Sequence, residues 1–162
     1  MISACDLRNR VIIPVLDHLE LDATSAQSLS AQNLLLGTAA AESELGLYLC
    51  QLGGGPALGP WQMEPATHDD VFNHWLVHRP LLRAKLTDFM ISCTPAYLQL
   101  AGNLYYGAAL CRLQYRRHAM PLPSADDLRG LARMWKVVWN TSRGRGRESD
   151  FIEKYERLVG PA

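Results

Sequence analysis

A chain of 162 residues, 48% hydrophobic and 20% charged, fits one globular domain with its own core. Its 16 Lys and Arg balance 16 Asp and Glu, so charge gives no ground for nucleic acid or a membrane surface as a partner. No apolar run reaches the roughly 18 to 20 residues of a membrane span, and the N-terminal run VIIPVL is too short and too tightly bracketed by charge for a secretory leader.

The helical signals run almost end to end. Residues 6–20 place Leu7, Val11, Val15 and Leu19 on one face, with Pro14 expected to bend or shift the helix. A second helix is expected from near Thr24 to about Leu49, with Leu34, Leu35 and Leu36 in its middle. Residues 52–60, LGGGPALGP, are a loop by composition. Thr67, with Asp70 three positions on, reads as a capping-box-like start of a helix that ends before Pro80. Pro80 suits the first turn of the next helix, to about Ile91.

Ser92 to Pro95 breaks the chain again. A long helix is expected over 96–118, with Leu98, Ala101, Leu104, Tyr105 and Ala108 inward. Met120 to Pro123 is a linker. Ser124 and Asp127 repeat the capping pattern and open a helix to about Trp139; residues 141–147 form a loop, and 148–159 the last helix. The fold class is all-α, one domain over residues 1–162 with about seven helices and room for a short extended piece near Trp61. The four cysteines, at 5, 50, 93 and 111, lack metal-ligand spacing and read as mostly buried free thiols of a reducing compartment.

One stretch asks for more than a fold. In GTAAAESELGLYLCQLGGGPALGPWQMEPATHDDV, residues 37–71, a small-residue helix ends at Glu42 and Glu44 ahead of a glycine-rich loop and Trp61. Ala39, Thr38 and Leu35 lie behind Glu42 on its face, and Leu45, Gly46 and Leu49 ahead, so Glu42 projects from a largely apolar stripe. Burial there disfavours the charged form. A carboxyl kept protonated near neutral pH is what glycosidic cleavage needs, because it must give a proton to the leaving oxygen. Gly53, Gly54, Gly55 and Gly59 would let backbone approach a ligand, Trp61 offers a stacking face, and Gln62 offers an amide. A capped or paired helix-end Glu42 and a core Trp61 are the plainer alternatives.

The stretch resembles the lysozyme superfamily, in particular soluble lytic transglycosylases and goose-type lysozymes. The resemblance rests on four motifs in order over roughly residues 34–147. They are Glu42-Ser43, the loop from Gly55 through Gly59, Trp61 and Gln62 to Thr67, Asn103 with Gly107 four positions later, and Trp139-Asn140 before a glycine-containing loop. The chain departs from the pattern in having Trp139 where Tyr is usual and in a glycine one residue late. The segment between Glu42 and the loop is also compressed.

This resemblance implies cleavage of the β-1,4 bond between N-acetylmuramic acid and N-acetylglucosamine, with Glu42 as general acid and, in a transglycosylase, as base on the C6 hydroxyl to close a 1,6-anhydro ring. Ser43, Gly59, Trp61, Gln62, Tyr105, Tyr106 and Asn140 would form the substrate site, with at most one of the two adjacent tyrosines in the cleft. No metal or organic cofactor is implied. The expected partner is the peptidoglycan glycan strand. Short, signal-less versions resemble phage-encoded proteins, which implies synthesis in the host cytoplasm, phage virion proteins as further partners, and action at the bacterial cell wall. A structural or glycan-binding virion protein that keeps the fold without turnover is the rival.

An inverting hydrolase would need a second carboxylate about 6.5–9.5 Å away, for which Glu64, Asp69 and Asp70 are available; Glu44 is the alternative acid. Arg143, Arg145 and Arg147 form a basic loop suited to solvent, to the carboxylates of peptidoglycan or to nucleic acid, the last disfavoured by the zero net charge. His74 and His78 have a spacing that can bind metal, without a third ligand nearby.

Overall fold

Helices account for nearly all regular structure in the computed structural model, which describes residues 1–22, 24–141 and 144–160. They form eight stretches: α1 (residues 4–19), α2 (Ser25–Ser43), α3 (residues 65–78), α4 (Pro80–Thr87), α5 (Ala96–Gly102), α6 (Leu104–Arg116), α7 (residues 128–140) and α8 (Glu148–Leu158). The described residues hold no strand, only isolated bridges from Leu58 to Cys50 and to Met63. Among the described residues no helix is long and apolar enough to cross a membrane.

The helix α2 is the axis of the core. Thr24 caps it by accepting the Gln27 N–H at 3.2 Å, and Leu34, Leu35, Leu36, Ala39 and Ala40 are fully buried. The helix is exposed in its first turn and buried on nearly all sides over residues 33–40, so that stretch has no solvent face. Its small residues let neighbours come close: a Cβ on Gly37 would overlap the Phe151 ring of α8. Two polar ties cross the interior. Arg112 pairs with Asp22 at 2.6 Å, both side chains buried, and Arg8 donates to Asn33 Oδ1 at 3.0 Å.

Several boundaries differ from expectation, each for a local reason. The long helix 96–118 is two helices. Asn103 leaves helical geometry (φ −95°, ψ 95°) and its Oδ1 accepts the Tyr106 N–H, capping α6, while its Nδ2 donates to the Phe89 carbonyl. The Asn103 break makes eight stretches rather than about seven. The Pro14 disturbance is a wide turn: Leu7–Ile12 is π-helical, and the Ile13 N–H reaches back to the Arg8 carbonyl.

Helix α2 stops at Ser43 rather than Leu49, because Glu44, Leu45 and Gly46 all take positive φ. Helix α3 begins at Pro65, so Thr67 lies inside it and forms no capping box. Asp127, not Ser124, caps α7, accepting the Gly130 N–H at 2.8 Å. Pro80 opens α4 as expected, but that helix ends at Thr87. Of the cysteines only Cys111 is buried; Cys5, Cys50 and Cys93 are exposed, against the expectation of mostly buried thiols.

Candidate active site

The end of α2 opens onto a cleft of about 730 Å³. Its walls include Glu42, Tyr48, Gln51, Gln62, Glu64 and Thr67 on one side and Gln114, Trp139, Asn140 and Arg145 on the other. The chain reverses sharply just after Glu42. The Leu45 N–H returns to the Ala39 carbonyl at 3.0 Å, and Glu44 and Leu45 sit at φ 52° and 57°. Gln62 (φ 49°) and Thr141 (φ 61°), both in the cleft wall, are also left-handed. Strained backbone of this kind persists only where packing over-determines it, and it concentrates at functional sites.

Glu42 is the group of chemical interest. Its Oε1 accepts the Trp135 Nε1–H at 2.9 Å, and no Lys, Arg or His among the described residues pairs with it. Burial raises its pKa from 4.5 to about 7, outweighing the Trp135 hydrogen bond and the Lys154 charge, which both favour the carboxylate. Lys154 is held beside it by donating to the Ala41 carbonyl at 2.8 Å. Trp135 is fixed in turn by packing on Phe151, ring centroids 5.6 Å apart. The Tyr48 hydroxyl donates to the Glu42 backbone carbonyl at 2.9 Å, closing the near edge.

The glycine-rich loop is pinned from two sides. Ser43 Oγ donates to the Pro60 carbonyl at 2.5 Å and accepts the Gly46 N–H. From α7, Trp139 Nε1 donates to the Trp61 carbonyl at 3.1 Å. Leu58 and Met63 exchange backbone hydrogen bonds at 3.0 Å, so residues 58–63 form a tight turn that holds Gln62 against the cleft.

Glu42, Gln62 and Asn140 therefore come together in one cleft, and the other expected site residues take different places. Ser43 is fully buried and ties the loop to the helix end rather than facing a ligand. Gly59 does permit a close approach, but to the chain itself: a Cβ there would fall on the Leu100 carbonyl. Trp61 is 2% exposed, with its Nε1–H on the Leu35 carbonyl, so it is a core side chain and not a stacking face. Neither tyrosine lines the cleft. Tyr105 Oη donates to the Arg10 carbonyl, and Tyr106 is buried against His68 Nε2 at 2.7 Å.

Among the carboxylates, Glu64 is in the wall. Asp69 engages His68, Asp70 engages Arg117 and His74, and Glu44 points at Arg157 (3.4 Å) and Lys154 (4.0 Å). Of the basic loop, Arg145 lines the cleft and Arg143 lies outside the described residues. Among the described residues no three His, Cys, Asp or Glu side chains converge to hold a metal.

Sequence reasoning misses Trp135, Tyr48 and Gln114, and gives Trp139 only as half of the Trp139-Asn140 motif, without a place in the cleft wall. Trp135 lies 93 residues from Glu42, and no periodicity connects them. The fold and the site together define an all-α protein whose cleft holds, at a helix end, a carboxyl with its pKa raised to about 7 by burial. Comparison with known protein families, curated proteins and solved structures finds no match for this chain.

Proposed function

We propose that this protein cleaves the glycan strands of peptidoglycan at the β-1,4 bond between N-acetylmuramic acid and N-acetylglucosamine, as a lytic transglycosylase with Glu42 as general acid and then base. One observation carries the reading: a carboxyl whose pKa stands near 7 lies in an open cleft with no ion pair among the described residues to neutralise it. An acid of that pKa is still about half protonated at neutral pH and is strong enough to give its proton to a departing glycosidic oxygen.

In the reaction, the Glu42 proton passes to the leaving oxygen as the glycosidic bond breaks. The Glu42 carboxylate then takes the C6 hydroxyl proton as that oxygen closes the 1,6-anhydro ring. The Trp135 N–H, which can only donate, steadies the carboxylate between the two steps. Glu64 is the carboxylate in the wall that would activate water if the enzyme instead hydrolyses. The motifs shared with lytic transglycosylases favour the first route.

The test is digestion of insoluble peptidoglycan with the wild-type protein, reading the soluble products by mass spectrometry. Anhydromuropeptides support the transglycosylase, and reducing-end products turn the reading to a hydrolase using Glu64. Products from neither, on walls that a control enzyme digests, favour the non-catalytic virion protein.

A further inference from the structure

The charges of this chain balance overall but not locally. No acid stands between Asp70 and Asp88, while the same stretch carries His74, His78, Arg79, Arg83 and Lys85. It forms the second half of α3, a tight corner and α4. Lys85 is answered by Glu20 at 2.6 Å, and His74 by Asp70 at 3.1 Å. Arg79 and Arg83 pair with no carboxylate among the described residues.

Aromatic rings hold these two arginines instead. Phe72 and Trp75, three apart on α3, share a face, as do Arg79 and Arg83, four apart at the start of α4. Each guanidinium carbon lies 4.3 Å from a ring centroid, Arg79 over Trp75 and Arg83 over Phe72. Phe72 is backed by the His68 ring, centroids 5.9 Å apart. Arg79 Nη1 also donates to the Trp75 carbonyl at 2.9 Å. Stacking occupies the face of a guanidinium and leaves edge N–H groups for an anion. Because the side chains are already placed, little of their freedom is lost on binding.

The corner sets apolar side chains beside those cations. Residues 77–81 are all exposed. Leu81, at 81%, is the most exposed large apolar side chain among the described residues, and Val77 is 50% exposed. Leu76, Leu82 and Leu86 turn the other way and fasten the corner to the core.

We propose that this corner is a docking surface for an anionic phospholipid bilayer: Leu81 and Val77 enter the interfacial layer while Arg79 and Arg83 take lipid phosphates. Such binding joins buried apolar area to electrostatic attraction, and the corner offers both on one convex turn. A nucleic-acid backbone would use the arginines but leave Leu81 in water. The corner is at the far end of α3 from Thr67 in the cleft wall, so seating it leaves the cleft free.

The experiment is co-sedimentation of the full chain with vesicles of phosphatidylcholine alone and of phosphatidylcholine with an equal part of phosphatidylglycerol. The expected result is retention on the anionic vesicles only, weakened by salt. Arg79→Gln with Arg83→Gln should lower it by about fivefold per arginine, while Arg79→Lys with Arg83→Lys keeps the charge and most of the binding. Leu81→Ser, at a position too exposed to disturb folding, should also weaken it.

Retention on neither vesicle, or equally on both, overturns the proposal. Unchanged retention of Leu81→Ser overturns it too, because charge alone would then hold the protein and a nucleic acid or acidic protein would serve as well. So does an equal loss in the lysine and glutamine pairs, since charge would then not be what the surface reads.

Discussion

The Trp135 indole N–H donates to Glu42 Oε1 at 2.9 Å, from a ring wedged on Phe151. With Oε1 occupied as an acceptor, the acid proton resides on Oε2. The bond also favours the ionised form. The acidity of the site is therefore a balance between burial, which holds the proton, and the Trp135 hydrogen bond and the Lys154 charge, which release it.

That balance predicts the pH profile. With a pKa near 7, Glu42 is about nine-tenths protonated at pH 6 and about one-tenth at pH 8. The kcat/KM of wall digestion should fall as pH rises through about 7. A 13C titration of the Glu42 carboxyl, identified by its loss in Glu42→Gln, should give the same midpoint. A midpoint near 4.5 would contradict the burial argument.

The same shift is a stability statement. The unfolded chain releases this proton near 4.5 and the folded chain near 7, so stability is lost as pH rises between those values and levels off above them. At about 1.4 kcal/mol per pH unit the loss is at most about 3 kcal/mol, and less to the extent that the cleft side of the carboxyl is wet. Glu42→Gln, which keeps the Trp135 hydrogen bond, should melt higher than wild type at pH 8 and equally at pH 4. Thermal unfolding at the two pH values checks this; a less stable variant at pH 8 would refute it.

Removing either the Trp135 hydrogen bond or the Lys154 charge should move the Glu42 pKa up. Trp135→Phe and Lys154→Met both shift the descending limb of activity to higher pH. They should differ in rate: Trp135→Phe also frees the carboxyl to turn and lowers kcat at pH 6, about tenfold for one lost orienting bond, while Lys154→Met leaves kcat at pH 6 nearly unchanged. Parallel pH–rate profiles separate the two.

Gly37→Ala tests the packing behind the acid. Glycine in a helix interior costs about 1 kcal/mol relative to alanine, so on propensity alone the change stabilises. A Cβ there overlaps the Phe151 ring, and overpacking of this kind costs typically about 1–3 kcal/mol. The net expectation is a lower melting temperature. Because Phe151 also supports Trp135, the Glu42 titration should shift as well.

Much of this was legible in the residues, though unevenly. Glu42 on an apolar stripe is a local pattern, and its burial follows from the helix it ends. The all-α class follows from periodicity, since nearly every segment repeats at helical spacing. Asn103 belongs to a motif in the sequence, but its side chain caps α6 and splits the expected helix. A tryptophan beside a glycine-rich loop suits either a cleft or a core, so the sequence leaves Trp61 open between a ligand face and a core side chain. The Leu35 carbonyl and a close-packed neighbour in Gly107 decide for the core. Trp135, Gln114 and Lys154 reach the site only through tertiary packing across some 70 to 110 positions, which no local signal in one sequence encodes.

The most direct test of the account is release of soluble glycan from purified cell walls at pH 6 by wild type and Glu42→Gln side by side. If Glu42 is the acid, the wild type releases product and the variant loses activity by a factor of at least about 100, the range of general acid catalysis, while remaining folded. Equal release by both proteins would contradict the claim that Glu42 carries the chemistry.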